Sequence, residues 1–125
     1  MRNLTIERTD VTPAVNFNAS TGELKISGRA YSTDINKFYE ELNAWIDDYL
    51  KNPQTVTTLI LELEYYNSAF YKLMFILIEK CKKTLKQDKS FAIKWYHQRD
   101  DEDSSEDANE ISAIIDYPIE IVELD

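Results

Sequence analysis

Glycine is scarce: only Gly22 and Gly28 occur in 125 residues, and that scarcity removes more functional classes than any other feature of the chain. A P-loop or a dinucleotide fingerprint needs several glycines within a short span, because backbone amides must come close to phosphate; neither can be assembled here. Cysteine is represented by Cys81 alone, so no internal disulfide can form. Histidine is represented by His97 alone, with no serine, cysteine or second histidine at a recognisable spacing for a triad or a zinc site. Positive charge is also short, with 14 Lys and Arg against 23 Asp and Glu, and a net charge of -9 repels phosphate backbones and anionic membrane surfaces. Nucleic acid is therefore not an expected partner. The longest apolar run, Leu73 to Ile78, is far too short to span a bilayer, and the first residues, Met1 to Arg8, lack the apolar core of a signal peptide. No membrane insertion and a cytoplasmic location are the expectations, and no cofactor or metal is implied.

What is present is enough to fold. The hydrophobic share is 43%, and with three prolines and two glycines little of the chain has linker composition, so residues 1–125 are expected to form one domain. A chain of this length buries roughly two-thirds of the surface that its unfolded form exposes. Leu4 to Arg8 alternates weakly as an edge strand. Thr12 to Phe17 and Glu23 to Ser27 form a hairpin about Asn18-Ala-Ser-Thr-Gly22, where glycine supplies a positive φ. Gly28 to Tyr31 leads out of it, and Ser32, Thr33 and Asp34 are candidate caps for a helix that starts at Ile35. Phe38, Tyr39, Leu42, Trp45, Ile46, Tyr49 and Leu50 share one face of that helix, which Asn52-Pro53 ends.

Val56 to Tyr66 then alternates as a strand, with Leu59, Leu61, Leu63 and Tyr65 assigned to one face and Thr58, Ile60, Glu62, Glu64 and Tyr66 to the other. After Asn67-Ser68 the segment Ala69 to Leu85 is a second helix, with Phe70, Leu73, Leu77, Cys81 and Leu85 on its apolar stripe. Its lysines, Lys86 included, gather towards the C-terminal end, where they suit the helix dipole. Cys81 reads as a small core residue. Phe91 to Tyr96 is a short strand, Ala108 to Ile115 a third helix and Ile119 to Leu124 a last strand. The alternation predicts an α/β fold: a single domain with a mixed β-sheet, an N-terminal antiparallel hairpin, parallel pairings afterwards and helices mainly on one face. A hydroxyl residue at the mouth of the helix that follows a central strand makes the pattern similar to STAS domains.

Two stretches invite a functional assignment. Asp100 to Asp107 holds six acids in eight residues, but an EF-hand loop counted from Asp101 has Glu106 where the sixth-place glycine belongs and Ser112 where the twelfth-place glutamate belongs. A solvated acidic loop entering a helix N-terminus is the expectation. The other stretch is the junction at Ser68. A side chain where a strand gives way to a helix stands where regulators commonly engage α/β sheets. It is also where Asn and Ser cap helices, so Ser68 is either a switch or only a cap. A phosphoryl group there would add about -1.5 to -2 of charge at a helix N-terminus, which tolerates it, while confronting a partner docked on Tyr66, Asn67, Ala69, Tyr71 and Lys72 with a dianion.

Four stretches together resemble the SiaC family of regulatory phosphoproteins. They are Thr12-Pro-Ala-Val-Asn-Phe17, Gly22-Glu-Leu-Lys-Ile-Ser-Gly-Arg-Ala-Tyr31, Leu63-Glu-Tyr-Tyr-Asn-Ser68, and Trp95-Tyr96 followed by Asp100-Asp-Glu-Asp103. The resemblance spans nearly the whole chain. It implies a non-enzymatic, partner-switching adaptor, phosphorylated by a cognate Ser/Thr kinase on the hydroxyl residue after the Asn of the Glu-Tyr-aromatic-Asn motif and dephosphorylated by a PP2C-type phosphatase. It further implies that the unmodified form binds and regulates an effector such as a diguanylate cyclase, within cyclic-di-GMP signalling. The resemblance implies that this phosphoacceptor position corresponds to Ser68. This chain departs from the family in having serine where threonine is frequent and Ala69-Phe70-Tyr71 where small hydroxyl residues often follow, which alters the surface a partner would meet. The alternative is a constitutive interaction module in which Ser68 only caps its helix.

Overall fold

Alternation of apolar and polar residues over Val56–Tyr66 makes the longest strand of the chain, and the rest of the sheet is built outward from it. The computed structural model describes every residue except Thr33, Lys86, Gln87 and Asp125. Its elements are β1 (Leu4–Ile6), β2 (Ala14–Asn18), β3 (Glu23–Ala30), α1 (Asn36–Lys51), β4 (Val56–Tyr66), α2 (Ser68–Thr84), β5 (Ser90–His97), α3 (Glu102–Ile115) and β6 (Glu120–Glu123). The six strands lie in the order β1-β2-β3-β4-β5-β6. β1, β2 and β3 pair antiparallel, and β3 to β6 pair parallel.

Each parallel step moves in the same direction through one helix. Because such crossovers are right-handed, all three helices fall on one face of the sheet. That face carries Leu24, Ile26, Leu59, Leu61, Ile93 and Trp95, packed into one core with Leu42 and Ile46 of α1, Leu73, Leu77 and Cys81 of α2, and Ala108 and Ile111 of α3. The opposite face presents Lys25, Ser27, Glu62, Lys94 and Tyr96, none of them buried. The mixed sheet, the front hairpin and the placement of the helices match the sequence expectation.

The hairpin turn depends on Gly22. Its φ is 77°, its N–H donates to the Asn18 carbonyl at 2.9 Å, and a Cβ at this position would stand 2.3 Å from the Val56 carbonyl oxygen.

Four local expectations are corrected. First, α1 uses no side-chain cap: Ile35 holds the N-cap position, Ser32 Oγ donates instead to the Asp34 carbonyl, and Thr33 lies outside the described residues, as does Lys86. Second, β3 does not end at Ser27 but runs to Ala30, through Gly28 at φ 117°. Third, the acidic segment is largely helical. Asp101 Oδ1 accepts the Ser104 N–H at 3.1 Å, and Glu102 and Asp103 occupy the first turn of α3, where the helix dipole favours carboxylates.

The fourth correction concerns β4. Its register against β3 runs Gly28↔Leu63 and then Arg29↔Tyr65, so Glu64 is the extra residue of a bulge. Past the bulge the faces exchange. Tyr66 turns to the helix side, edge-on to Trp95 with ring centroids 5.9 Å apart. Tyr65 turns to the open side and stacks on Tyr31.

Candidate functional site

The parallel strands all end along one edge, and β4 ends near its middle. Asn67 fixes the exit. Its N–H donates to the Ala30 carbonyl at 3.0 Å, its Nδ2 to the Ser32 carbonyl at 2.9 Å, and its Oδ1 accepts the Phe70 N–H at 3.0 Å. Asn67 is thus the N-cap of α2, and Ser68 is the first residue inside the helix. Ser68 is exposed and does not serve as the cap, so the proposal that its role is only capping does not describe this fold.

The bulge and the helix phase bring two tyrosines to Ser68. Tyr66 reaches the site because the bulge turns it towards α3, and Tyr71 because it lies one turn after Ser68. Both hydroxyls donate to carboxylates of α3. Tyr66 Oη reaches Asp107 Oδ2 at 2.7 Å, and Tyr71 Oη pairs with Glu110 Oε1. Burial, reinforced by the carboxylate each phenol faces, raises both phenol pKa values well above the ordinary tyrosine range. Both hydroxyls are therefore donors at any physiological pH.

Spacing along α3 produces this arrangement. Ser104, Asp107 and Glu110 recur every three residues and fall on one side of the helix. Ser104, nearly fully buried, accepts the Trp95 Nε1–H at 2.9 Å. Tyr66, Asn67, Ser68, Tyr71, Asp107 and Glu110 together line an open depression of about 290 Å³.

Of the six residues singled out from sequence, Tyr66, Asn67, Ser68 and Tyr71 come together in this depression. Ala69 and Lys72 line a neighbouring apolar cleft of about 190 Å³ between α1 and α2, with Ile35, Tyr39, Leu73 and Ile76. Asp107 was missed because the acidic run reads as a solvated loop, and Glu110 because nothing local ties the third helix to Ser68. The one signal that the sequence holds is their three-residue recurrence from Ser104, which groups them on one side of that helix.

The electrostatics of the depression are opposed. The first turn of α2 offers free backbone amides and the positive end of a helix dipole. Across from it stand two carboxylates.

The remaining candidates are structural. His97 ends β5, is largely buried, and its Nδ1 lies 2.8 Å from the Gln98 carbonyl oxygen. Among the described residues no group of three His, Cys, Asp or Glu is arranged to hold a metal ion, and no helix is long and apolar enough to cross a membrane. Cys81 is fully buried on α2, and burial pushes its thiol pKa up to about 12.

Comparison with known proteins shows the family and the fold. The family model described as SiaC family regulatory phosphoprotein matches residues 6–124. An uncharacterized protein of Pseudomonas aeruginosa is 24% identical over 121 residues, which cover 97% of this chain and 96% of that protein. The crystal structure of apo-SiaC from Pseudomonas aeruginosa superposes with a TM-score of 0.80 at 23% identity, covering 100% of both chains. SiaC from the same organism, in complex with the diguanylate cyclase SiaD that it activates, superposes with a TM-score of 0.87 at 23% identity, covering 97% of this chain and 99% of that one. At this level of identity the structural likeness is one of fold.

Proposed function

The chain belongs to the SiaC family of regulatory phosphoproteins, and from that premise we propose that it is a partner-switching adaptor controlled by phosphorylation of Ser68. The observation that carries the proposal is the placement of Ser68: exposed, in the first turn of α2, at the carboxyl end of β4, and relieved of capping by Asn67. In the unmodified state the rim formed by Tyr66, Asn67, Ala69, Tyr71 and Lys72 is the docking surface, and the effector is a protein of the diguanylate cyclase class. That choice is supported by the complex formed by the Pseudomonas aeruginosa relative. A Ser/Thr kinase adds the phosphoryl group, a PP2C-type phosphatase removes it, and the chain itself performs no catalysis. A cytoplasmic location follows from such partners.

The off state is electrostatic. A phosphoryl group adds about -1.5 to -2 of charge. The amides at the start of α2 accommodate it, so the fold survives. Asp107 and Glu110 share the depression and do not. A docked partner would have to desolvate three anionic groups together, which costs several kcal/mol unless each is paired.

Incubation with ATP and a kinase encoded in the same gene neighbourhood is expected to add one phosphoryl group, on Ser68, as read by peptide mass spectrometry. Modification of another residue with Ser68 untouched sinks the assignment. Ser68→Asp is expected to weaken cyclase binding and Ser68→Ala to leave it permanently available; equal affinities for the two variants would remove the switch.

A further inference from the structure

Ser68, Lys72 and Ile76 recur every four residues along α2, and all three are exposed, so they form one stripe on its surface. The stripe borders the cleft of about 190 Å³ between α1 and α2, where the buried Leu73 lies among Ile35, Tyr39 and Ile76. Ile76 is 40% exposed, and Ala69, next to Ser68, adds only a methyl group to the lining. Lys72 is the one charged residue that lines this cleft. The other lysines of α2 are engaged: Lys80 pairs with Asp47 at 2.8 Å, Lys83 with Glu79 at 3.7 Å, and Lys82 donates to the Ile115 carbonyl. Among the described residues Lys72 has no such partner. A free ammonium therefore stands at an apolar cleft on a chain of net charge -9.

The helix sets Lys72 one turn after Ser68, and an anion four residues before a cation is the favourable order for such a pair. The depression lined by Asp107 and Glu110 also borders Ser68, on the side of Tyr71 rather than Lys72. A phosphoryl group on Ser68 is repelled by those carboxylates and attracted by the ammonium, and both forces turn its oxygens towards Lys72.

We propose that the cleft between α1 and α2 anchors the effector and that Lys72 gates it. With Ser68 unmodified, the cleft takes an apolar side chain of the partner and Lys72 takes a carboxylate beside it. With Ser68 phosphorylated, Lys72 pairs with the phosphate and the cleft loses its one cation. Charge complementarity selects that occupant: a basic segment would meet Lys72 as a like charge, and a wholly apolar one would cover the ammonium without giving it a partner. This regulation rests on Ser68 being the phosphoacceptor, and it acts on contacts that the depression at Asp107 and Glu110 does not share.

The test uses the ¹⁵N-labelled full chain at about pH 7, with serine or with phosphoserine installed at position 68 during translation. The probes are 3-phenylpropionate, an apolar group carrying a carboxylate, and its neutral amide. Both are expected to shift the amides of Tyr39, Lys72 and Ile76, the acid with a Kd of about 1–10 mM and the amide about threefold more weakly. Lys72→Gln and phosphoserine at position 68 are each expected to abolish that preference. In ³¹P NMR the phosphoserine should lose its second proton about 0.3 pH unit lower in the parent than in Lys72→Gln, a difference that separates the lysine from the helix amides. Thermal unfolding checks that Lys72→Gln keeps the fold. Equal affinity for acid and amide, a preference that survives Lys72→Gln or phosphoserine, a phosphate indifferent to Lys72, or an absence of shifts at the cleft would overturn the proposal. So would shifts of Tyr39 and Ile76 that grow with protein concentration alone, which would make the cleft a contact between copies of the chain. Because the phosphoserine is installed without a kinase, these outcomes stand apart from the mass spectrometry that reads which residue a kinase modifies.

Discussion

Tyr66 Oη donates to Asp107 Oδ2 at 2.7 Å, joining the last residue of β4 to the middle of α3 across 41 positions of sequence. This bond exists only because the bulge at Glu64 turns Tyr66 to the helix side. Tyr66→Phe keeps the ring against Trp95 but leaves the Asp107 carboxylate without its phenolic donor. The expected cost is about 1–2 kcal/mol of folding stability, measured by urea unfolding. A loss below a few tenths of a kcal/mol would show that the bond does not secure α3.

The cap of α2 makes a second, sharper comparison. Asn67→Ala removes the acceptor for the Phe70 N–H and the Nδ2 donor to the Ser32 carbonyl, and should cost at least about 1 kcal/mol. Ser68→Ala touches no capping bond and places a good helix former at the first helical position, so it should lie within about 0.5 kcal/mol of the parent. The reverse order of stabilities would return Ser68 to a structural role.

β4 illustrates what was legible in the sequence and what was not. Its ends, Val56 and Tyr66, follow from alternation, because one face must be apolar and the other need not be. The bulge does not follow: inserting Glu64 changes no composition, and the alternating pattern assigns Tyr65 to the core side. Only pairing with β3, through a glycine at positive φ, discloses it. Ser68 was legible as a strand-to-helix junction. Its acidic neighbours were not: Asp107 closes the acidic run and Glu110 lies on the third helix beside the buried Ala108 and Ile111, and what brings both to Ser68 is their long-range bonding to Tyr66 and Tyr71, which no local pattern shows.

Raised pKa values set the response to alkali. Burial pushes the Cys81 thiol to about 12 from 9.0 and raises the phenols of Tyr66, Tyr71 and Tyr117 above 10.0. The folded state therefore favours the protonated forms. Their contribution to stability is complete below about pH 9, where the unfolded chain keeps its protons too, and is lost as pH rises beyond it. Thermal unfolding should be insensitive to these groups between pH 7 and 8.5 and fall steadily from pH 9 to 11. Cys81 in the folded chain should also react with iodoacetamide at pH 8 at least about a hundredfold more slowly than in the urea-unfolded chain.

The depression at Ser68 carries the last prediction. Phosphoserine installed at position 68 during translation, without any kinase, brings a dianion to a cavity wall made by Asp107 and Glu110. Tyr66 and Tyr71 hold those carboxylates through one hydrogen bond each, and either hydroxyl can turn its proton to a phosphate oxygen instead. Repulsion and competition act in the same direction, loosening α3 while the amides of α2 keep the phosphoryl group in place. Hydrogen exchange should accelerate across residues 102–115 and slow or hold steady across the first turn of α2. Asp107→Asn with Glu110→Gln should remove most of the acceleration, because the neutral amides no longer repel the phosphate. Unchanged exchange in α3 on phosphoserine incorporation would mean that the modification acts on the docking surface alone, with the Tyr66–Asp107 tie intact in both states.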